Sequence, residues 1–484
     1  MRWTLLGSIA TLVVQMPYTA VMSRLLSPGD FGLIGLALFM LRFVSFFAQG
    51  GLNSAVTQRP VLNVRDIRAA MAFGIVTGIG VYVAAWAIMP FAVQVVHGPP
   101  ELTSVCRVLG LTFVISALGA TAVGVLRRTM RYRAIAMVEF GSYLIGYCGL
   151  GVTSAVLGNG VWSLVYACLG QNALMTVGCW VLAKHDLRPL FDFRAVKQLA
   201  SVGAKVSLVG FLEFLSLGGD NVLVGRYAGM DMLGHYNRAW FLASLPLLQV
   251  AMALNKVLLP AFSCIQAQSA RLRLAYVDSI TVTTLLFIPM GAVIAACANN
   301  AVHVVLGAEW TTAADLVPLL AAVGALNVIS YFPATVAEAT GRVWPKVTIE
   351  ILHLIVLSMG AGVAMAAGTG IIGLVIAVLV SRFMRHGVYV VYICRVFPGS
   401  MRSVTIAHTQ SSMVALVLWL SVTTAGRALE GIVPPLVALV AQLLTVALLG
   451  GFILMFGRNL NGIRVVRSRA LVPVALSPKR CAKF

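Results

Sequence analysis

FGLIGLALFMLRFVSFFAQGGLN, residues 31 to 53, is an apolar run long enough to cross a bilayer, with one arginine, Arg42, at its middle. A hydrocarbon core ~30 Å thick is spanned by about 20 apolar residues in a helix, and a charge at its centre costs roughly 2.5–3.5 kcal/mol on insertion scales. The run therefore predicts a membrane helix carrying a charge that needs a reason. Runs like it recur along all 484 residues, of which 60% are hydrophobic and only 10% charged, with a mean hydropathy of +0.94. A soluble domain is about half apolar and a quarter charged. The spacing predicts an all-α polytopic membrane protein of about fourteen transmembrane helices. The first span is expected near 3–23, the second near 31–56, and the seventh and eighth near 205–225 and 233–258.

The basic residues test that count, because Lys and Arg collect in cytoplasmic loops. With the N-terminus inside, Arg2, Arg59, Arg65, Arg68, the RRTMRYR turn (127–133), the KHDLRPLFDFRAVKQ connector (184–198), Arg342, Lys346, Arg395, Arg402 and the basic tail all fall in alternate loops. Only Arg24, Arg107, Arg226, Arg238 and Arg427 face outward, and Arg42, Arg382 and Arg385 lie within spans. An odd number of helices would destroy this split, so both termini are expected in the cytoplasm. The net charge of +20 then reflects topology and adhesion to anionic membrane lipids. Spread over many loops without one aromatic-rich patch, it does not point to nucleic acid. The cysteines are scattered with no CxxC, and the histidines form no HExxH, so no metal and no cofactor are expected. GTGIIG at 368 satisfies GxGxxG but follows no strand, which removes its dinucleotide meaning. Residues 3–23 lack a small-x-small cleavage site and lead directly into the next helix, so they read as a span and not as a signal peptide.

The chain also repeats itself. One shift places Arg24 on Arg226, Gly32 on Gly234, Ala37 on Ala239, Leu52 on Leu254 and Asn53 on Asn255. A slightly longer one places Arg131 on Arg342, Glu139 on Glu350, and GNGVWSLV (158–165) on GTGIIGLV (368–375). Six spans separate the copies, so both run the same way through the membrane. This predicts two parallel six-helix lobes related by an axis along the membrane normal. The expected division is residues 1–203 for the first lobe, 204–394 for the second, and 395–484 for a C-terminal helix pair with its basic tail.

Polar residues keep to faces. Arg42, Ser45, Gln49 and Asn53 share one side of the second helix at 100° per residue, and Gln15 belongs to a similar stripe on the first. In the second lobe Glu213 and Asp220 share one face, and Asn255 lies on another stripe. Arg382, Arg385 and His386 share a face of the twelfth helix, with Asn172 at the repeat-related position of the sixth. A hydrophilic cavity lined by Gln15, Arg42, Ser45, Gln49, Asn53, Asn255, Arg382 and Arg385 explains such stripes where lipid contact all round does not. Glu213 and Asp220 then serve as counter-charges or bind a coupling ion. The equal spacing of Arg131 with Glu139 and of Arg342 with Glu350, at matching helix ends, suggests a gate.

At RLLSPGDFG (24–32) the sequence resembles the polysaccharide exporters of the MOP superfamily, the Wzx-type flippases and in particular their colanic-acid-exporter branch. DNVLVGRYAGMDMLGHYNRAWFLASLPL (220–247), VLLPAFSCIQ (257–266) and LGAEW (306–310) extend the likeness across the first twelve helices in order. One departure is that family members usually carry a polar segment before the first helix, where here only Met1 and Arg2 precede Trp3; a start upstream of Met1 is one expectation. The resemblance implies a two-lobed flippase that carries undecaprenyl-pyrophosphate-linked oligosaccharide repeat units across the bacterial inner membrane for exopolysaccharide or lipopolysaccharide synthesis, beside a polysaccharide polymerase machinery. A MATE-like multidrug antiporter is the alternative within the superfamily, expected to stop at twelve helices and to prefer an acidic or apolar pocket. A membrane polymerase or ligase is the alternative of another class, but no exterior loop is long enough to carry its catalytic groups. No P-loop is present to supply ATP as a direct drive.

Overall fold

The computed structural model describes residues 2–48, 64–183, 207–265, 269–339, 343–456, 460–463 and 465. In a bilayer every backbone N–H and C=O must be satisfied within its own segment, which leaves the helix as the natural element. Among the described residues the elements are accordingly helices, with no strand. In chain order they are α1 (Arg2–Leu25), α2 (Pro28–Ala48), α3 (Val64–Val96), α4 (Pro100–Leu109), α5 (Leu111–Arg128), α6 (Tyr132–Val156), α7 (Val161–Ala183) and α8 (Ser207–Ile265). There follow α9 (Ser269–Ala296), α10 (Ala298–Val305), α11 (Thr311–Ala339), α12 (Val343–Ala366), α13 (Gly370–Val396), α14 (Met401–Leu429) and α15 (Pro435–Phe456). Eleven stretches among the described residues are long and apolar enough to cross a membrane: α2, α3, α4 with α5, α6, α7, α9 and α11 to α15. Their outward faces keep large apolar side chains such as Phe91, Val363 and Leu448 exposed, as lipid-facing surfaces do. The remaining expected spans fall on α1 and α8.

The long helix α8 is two helices. Gly229, with φ 86° and ψ 175°, breaks its helical geometry, a conformation that a residue without Cβ adopts at no steric cost. The Tyr236 hydroxyl nevertheless donates to the Asp220 carboxylate at 2.5 Å. Sixteen residues of straight helix would hold these groups about 24 Å apart at 1.5 Å per residue. The two arms therefore double back into an antiparallel hairpin, with the Asp220–Tyr236 contact closing it.

The turn at RLLSPGDFG has a local cause. Ser27 is the N-cap of α2: its hydroxyl accepts from the Asp30 N–H at 3.3 Å, while the Asp30 carboxylate accepts from the Ser27 N–H at 3.0 Å and from its hydroxyl at 2.7 Å. This is a capping box with Pro28 at the first helical position. The glycines that follow admit α8. A Cβ on Gly29 would meet the Asp231 carboxylate, one on Gly32 the Met230 carbonyl, and one on Gly35 the Asn237 amide. Each of these glycines lies beside its repeat mate or that mate's close neighbour, since the repeat shift carries Gly29 to Asp231, Gly32 to Gly234 and Gly35 to Asn237.

Gly234 gives the sharpest test of this packing, because its Cβ would run into the Pro28 carbonyl. Gly234→Ala is expected to destabilise the purified protein by about 1–3 kcal/mol, read as a lower Tm. Gly141, with nothing within 4 Å of its Cβ position, is the control, and Gly141→Ala should hold or raise Tm. A Gly234→Ala protein as stable as the wild type would contradict the close approach.

Two compact units divide the chain, Met1–Asn237 and Arg238–Phe484, with the boundary inside α8. In the first, α3 packs on α5, α5 on α7 and α7 on α6; in the second, α9 packs on α11, α11 on α13 and α13 on α12. The order of neighbours is the same in both, as an internal repeat requires. The core of the second unit gathers Leu247, Tyr276, Phe287, Ile329, Phe332, Ile393, Phe397 and Val404. There α14 packs against both α9 and α15.

Candidate functional site

Within the first unit, α2 and the first arm of α8 meet face to face. Phe39 stacks on Phe214 with ring centroids 4.9 Å apart, and Phe43 packs on Phe211 at 5.5 Å. These pairs bracket Arg42 on α2 and Glu213 on α8. Arg42 is exposed, Glu213 half-buried. Among the described residues no acceptor engages the Arg42 guanidinium; only its backbone carbonyl is used, accepting from the Ser45 hydroxyl at 2.8 Å. Ser45 is thus on the expected stripe but bonded within its own helix. Gln15 is half-buried on α1. Gln49, Asn53 and the side chain of Asn255 lie outside the described residues.

Asp220 is buried at 4% exposure. Besides Tyr236 it accepts from the Asn221 N–H at 3.1 Å and from the Asn221 amide group at 3.4 Å. These donors help to hold the carboxylate in the hairpin. Near α1, Tyr18, Tyr143 and Tyr147 form an aromatic cluster. It sits beside a π-helical stretch of α6, Leu144–Gly151, where the backbone of Gln171 comes so close to Gly146 that a Cβ there would strike it. Such π-bulges mark functional positions more often than chance, and no residue pattern in the sequence foretold this one. Ser116 on α5 donates to Asn172 on α7 at 3.3 Å, and the Asn172 amide donates to the Cys168 carbonyl at 2.8 Å.

The second unit holds a buried polar network. Arg385 on α13 places Nη1 3.2 Å and 3.3 Å from the two carboxylate oxygens of Glu350 on α12, and donates from Nη2 to Asn327 of α11 at 2.7 Å. The Tyr389 hydroxyl donates to Glu350 at 3.1 Å. Arg385 is 4% and Glu350 2% exposed, so this is an ion pair shielded from water on both sides. The next residue, His386, contacts Ser330 of α11 and His408 of α14. Arg382 is buried beside them at 2% exposure, as are Lys346 and His353 on α12.

The sequence stripes and this geometry differ in an informative way. Arg382, Arg385 and His386 share a face, as their spacing indicates. That face is packed against α11, α12 and α14 instead of being open, and Arg385 already holds an anion, the carboxylate of Glu350. Glu350, expected with Arg342 to belong to a gate, is bonded to Arg385; Arg342 itself lies outside the described residues. Arg131 is exposed and donates to the Leu182 carbonyl at the end of α7 at 2.8 Å, while Glu139 is exposed. Asn327, Ser330, Tyr389 and His408 were not singled out from sequence, because each lies on a different turn or helix from the charge it serves.

Comparison with known proteins fits this architecture. Residues 21–315 match the family described as polysaccharide biosynthesis protein. The succinoglycan biosynthesis transport protein ExoT of Rhizobium meliloti is 27% identical over 66% of this chain and 64% of its own, so the chain spans a little under two thirds of that relative. The lipopolysaccharide biosynthesis protein WzxC of Escherichia coli is 22% identical over 71% of this chain and 70% of its own. Among solved structures, the lipid II flippase MurJ in an inward closed conformation superposes with a TM-score of 0.66 at 12% identity, covering 93% of this chain and 98% of the other.

Proposed function

Because the chain belongs to the polysaccharide biosynthesis protein family, we propose that this multi-pass bacterial membrane protein is a flippase for undecaprenyl-pyrophosphate-linked oligosaccharide repeat units in the inner membrane. In this reading α1 and the two arms of α8 also cross the bilayer, completing fourteen spans with both termini in the cytoplasm. Residues 1–203 and 204–394 form the repeated lobes, and 395–484 the added pair and tail. The transport relative and the flippase fold support the class of activity. The observation that carries the substrate class is Arg42, an exposed guanidinium in the middle of an apolar helix with no acceptor among the described residues. A membrane protein keeps such a group where an anion or water meets it.

A lipid diphosphate is an anion with a lipid tail and a polar head, and a planar guanidinium can hold two of its oxygens where an ammonium offers a point charge. Glu213, on the helix facing α2, and Asp220 supply counter-charge once the substrate has left. Gln15, Ser45, Gln49, Asn53 and Asn255 give the sugar head neutral hydrogen-bonding positions along its path. A second hold at Arg382 and Arg385 requires Arg385 to exchange Glu350 for the ligand. A gate at Arg131 and Glu139 likewise requires Arg131 to leave the Leu182 carbonyl.

Deletion of the gene tests the reading. Lipid-linked repeat units are expected to accumulate on the cytoplasmic leaflet and exported polysaccharide to disappear, with sensitivity to lipophilic drugs unchanged. Normal polysaccharide export together with heightened drug sensitivity would favour the multidrug antiporter. The counter-charge role is tested by Glu213→Gln, expected to slow translocation several-fold at unchanged protein level; full activity in that variant would remove Glu213 from the mechanism.

A further inference from the structure

The proton count of the pair formed by His386 and His408 depends on which way its partners donate. When the Ser330 hydroxyl donates to the Leu326 carbonyl, 2.6 Å away, its oxygen accepts from Nδ1–H of His386 at 3.1 Å. His408 Nδ1 lies 2.8 Å from the Val404 carbonyl, which can only accept, so that nitrogen also carries a proton. The two Nε2 atoms are 2.9 Å apart, and two bare lone pairs do not approach so closely without a proton between them. Two neutral imidazoles carry one N–H each, yet this arrangement uses three.

We infer that His386 on α13 and His408 on α14 together form a binding site for one proton. Binding adds H⁺ to a ring nitrogen lone pair and breaks no other bond. In the form without it, the Ser330 hydroxyl turns from the Leu326 carbonyl to donate to His386 Nδ1, and His386 Nε2–H donates to His408. The site therefore has two self-consistent hydrogen-bonding states that differ by one charge. His386 is buried and His408 half-buried, about 10–15 Å of helix from the turn joining α13 to α14 at 1.5 Å per residue.

The charged and titratable groups around the site set its context. On α13 and α12 they are Arg382, Arg385 with its partner Glu350, Tyr389, Lys346 and His353, whose Nδ1 lies 3.2 Å from the Ser381 carbonyl; α9 brings Tyr276 and Asp278. α11 contributes Ser330 and Asn327 as hydrogen-bonding partners with its Asp315 exposed, and α15 carries no titratable side chain. Arg385 adjoins His386 in the chain and opposes an added positive charge on the pair, an effect that Glu350 offsets while it holds Arg385. Proton binding and the Arg385–Glu350 contact are thereby linked. As a coupling site for transport this rests on the flippase reading; as a proton site it stands apart from it.

Nitrogen NMR of ¹⁵N-histidine-labelled protein in lipid nanodiscs, recorded across mildly acidic to alkaline pH, tests the site. The four ring nitrogens of the pair are expected to carry three protons at the acidic end and two at the alkaline end, with both rings changing in a single step. In His408→Phe the His386 signals should show no such step. Two rings that titrate independently, or a pair that holds two protons throughout, would overturn the assignment; the wild-type spectrum alone decides this even where a variant does not fold. Transport by the same protein in proteoliposomes reports separately on function. A wild-type protein that binds the shared proton but moves no saccharide supports the proton site and counts against the flippase.

Discussion

Arg42→Ala is expected to abolish polysaccharide export while the protein still accumulates in the membrane at its normal level. Arg42 makes no ion pair among the described residues, so its removal leaves no buried partner stranded and should not unfold the helix; it even relieves an insertion cost of roughly 2.5–3.5 kcal/mol. What is lost is a pair of charge-assisted hydrogen bonds to the diphosphate, each contributing about 1.5–3 kcal/mol. Together they correspond to roughly a hundredfold loss in translocation or more, at 1.4 kcal/mol per factor of ten. Arg42→Lys keeps the charge and loses the planar fork, so it should restore only part of the rate. Export is measured as surface polysaccharide and protein as membrane content. Wild-type export by Arg42→Ala would refute the assignment, and a variant missing from the membrane would make Arg42 a structural residue instead.

Glu350→Gln is expected to have the opposite profile, with protein lost before function can be assayed. Replacing the carboxylate leaves the Arg385 guanidinium buried at 4% exposure with only neutral partners. Breaking a buried pair from one side costs about 3–5 kcal/mol, a large share of a total stability of roughly 5–15 kcal/mol. Glu350→Gln should therefore lower Tm strongly or prevent accumulation, and the double variant Glu350→Gln with Arg385→Met should recover much of the loss, because the stranded charge is then gone. Thermal unfolding of the purified variants checks this. A single variant as stable as the wild type would show that the pair is not the anchor its geometry indicates.

The contrast between these arginines explains what the sequence could and could not convey. Apolar runs, alternating basic loops and repeated glycines report on lipid, topology and close helix approach, each a property of one segment, so the membrane-spanning all-helical fold was legible. The turn at SPGD showed in the sequence only as the gap between the first two spans, although the capping box that makes it is local. Whether an arginine inside a span faces an opening or a carboxylate is decided by a different helix. Arg42 stands alone in an apolar run and Arg385 beside Arg382 and His386, yet neither pattern tells which is paired: Glu350 is 35 residues from Arg385 and nothing along α13 announces it. His408 was passed over for the same reason: it is a lone histidine on α14, and its partner is on α13. The hairpin in α8 was visible as two spans, but the Asp220–Tyr236 contact that closes it depends on the backbone geometry of Gly229.

The most direct test of the central claim is translocation itself, in proteoliposomes containing the purified protein and a fluorescent oligosaccharide linked to undecaprenyl diphosphate. Transbilayer movement is read by the accessibility of the sugar to an added impermeant glycosidase. Wild-type protein is expected to expose the lipid-linked sugar on both leaflets and Arg42→Ala to leave it on one, with a monophosphate-linked analogue moved much more slowly than the diphosphate. Equal movement of the sugar lipid by wild type and Arg42→Ala, or none above protein-free vesicles, would contradict the account.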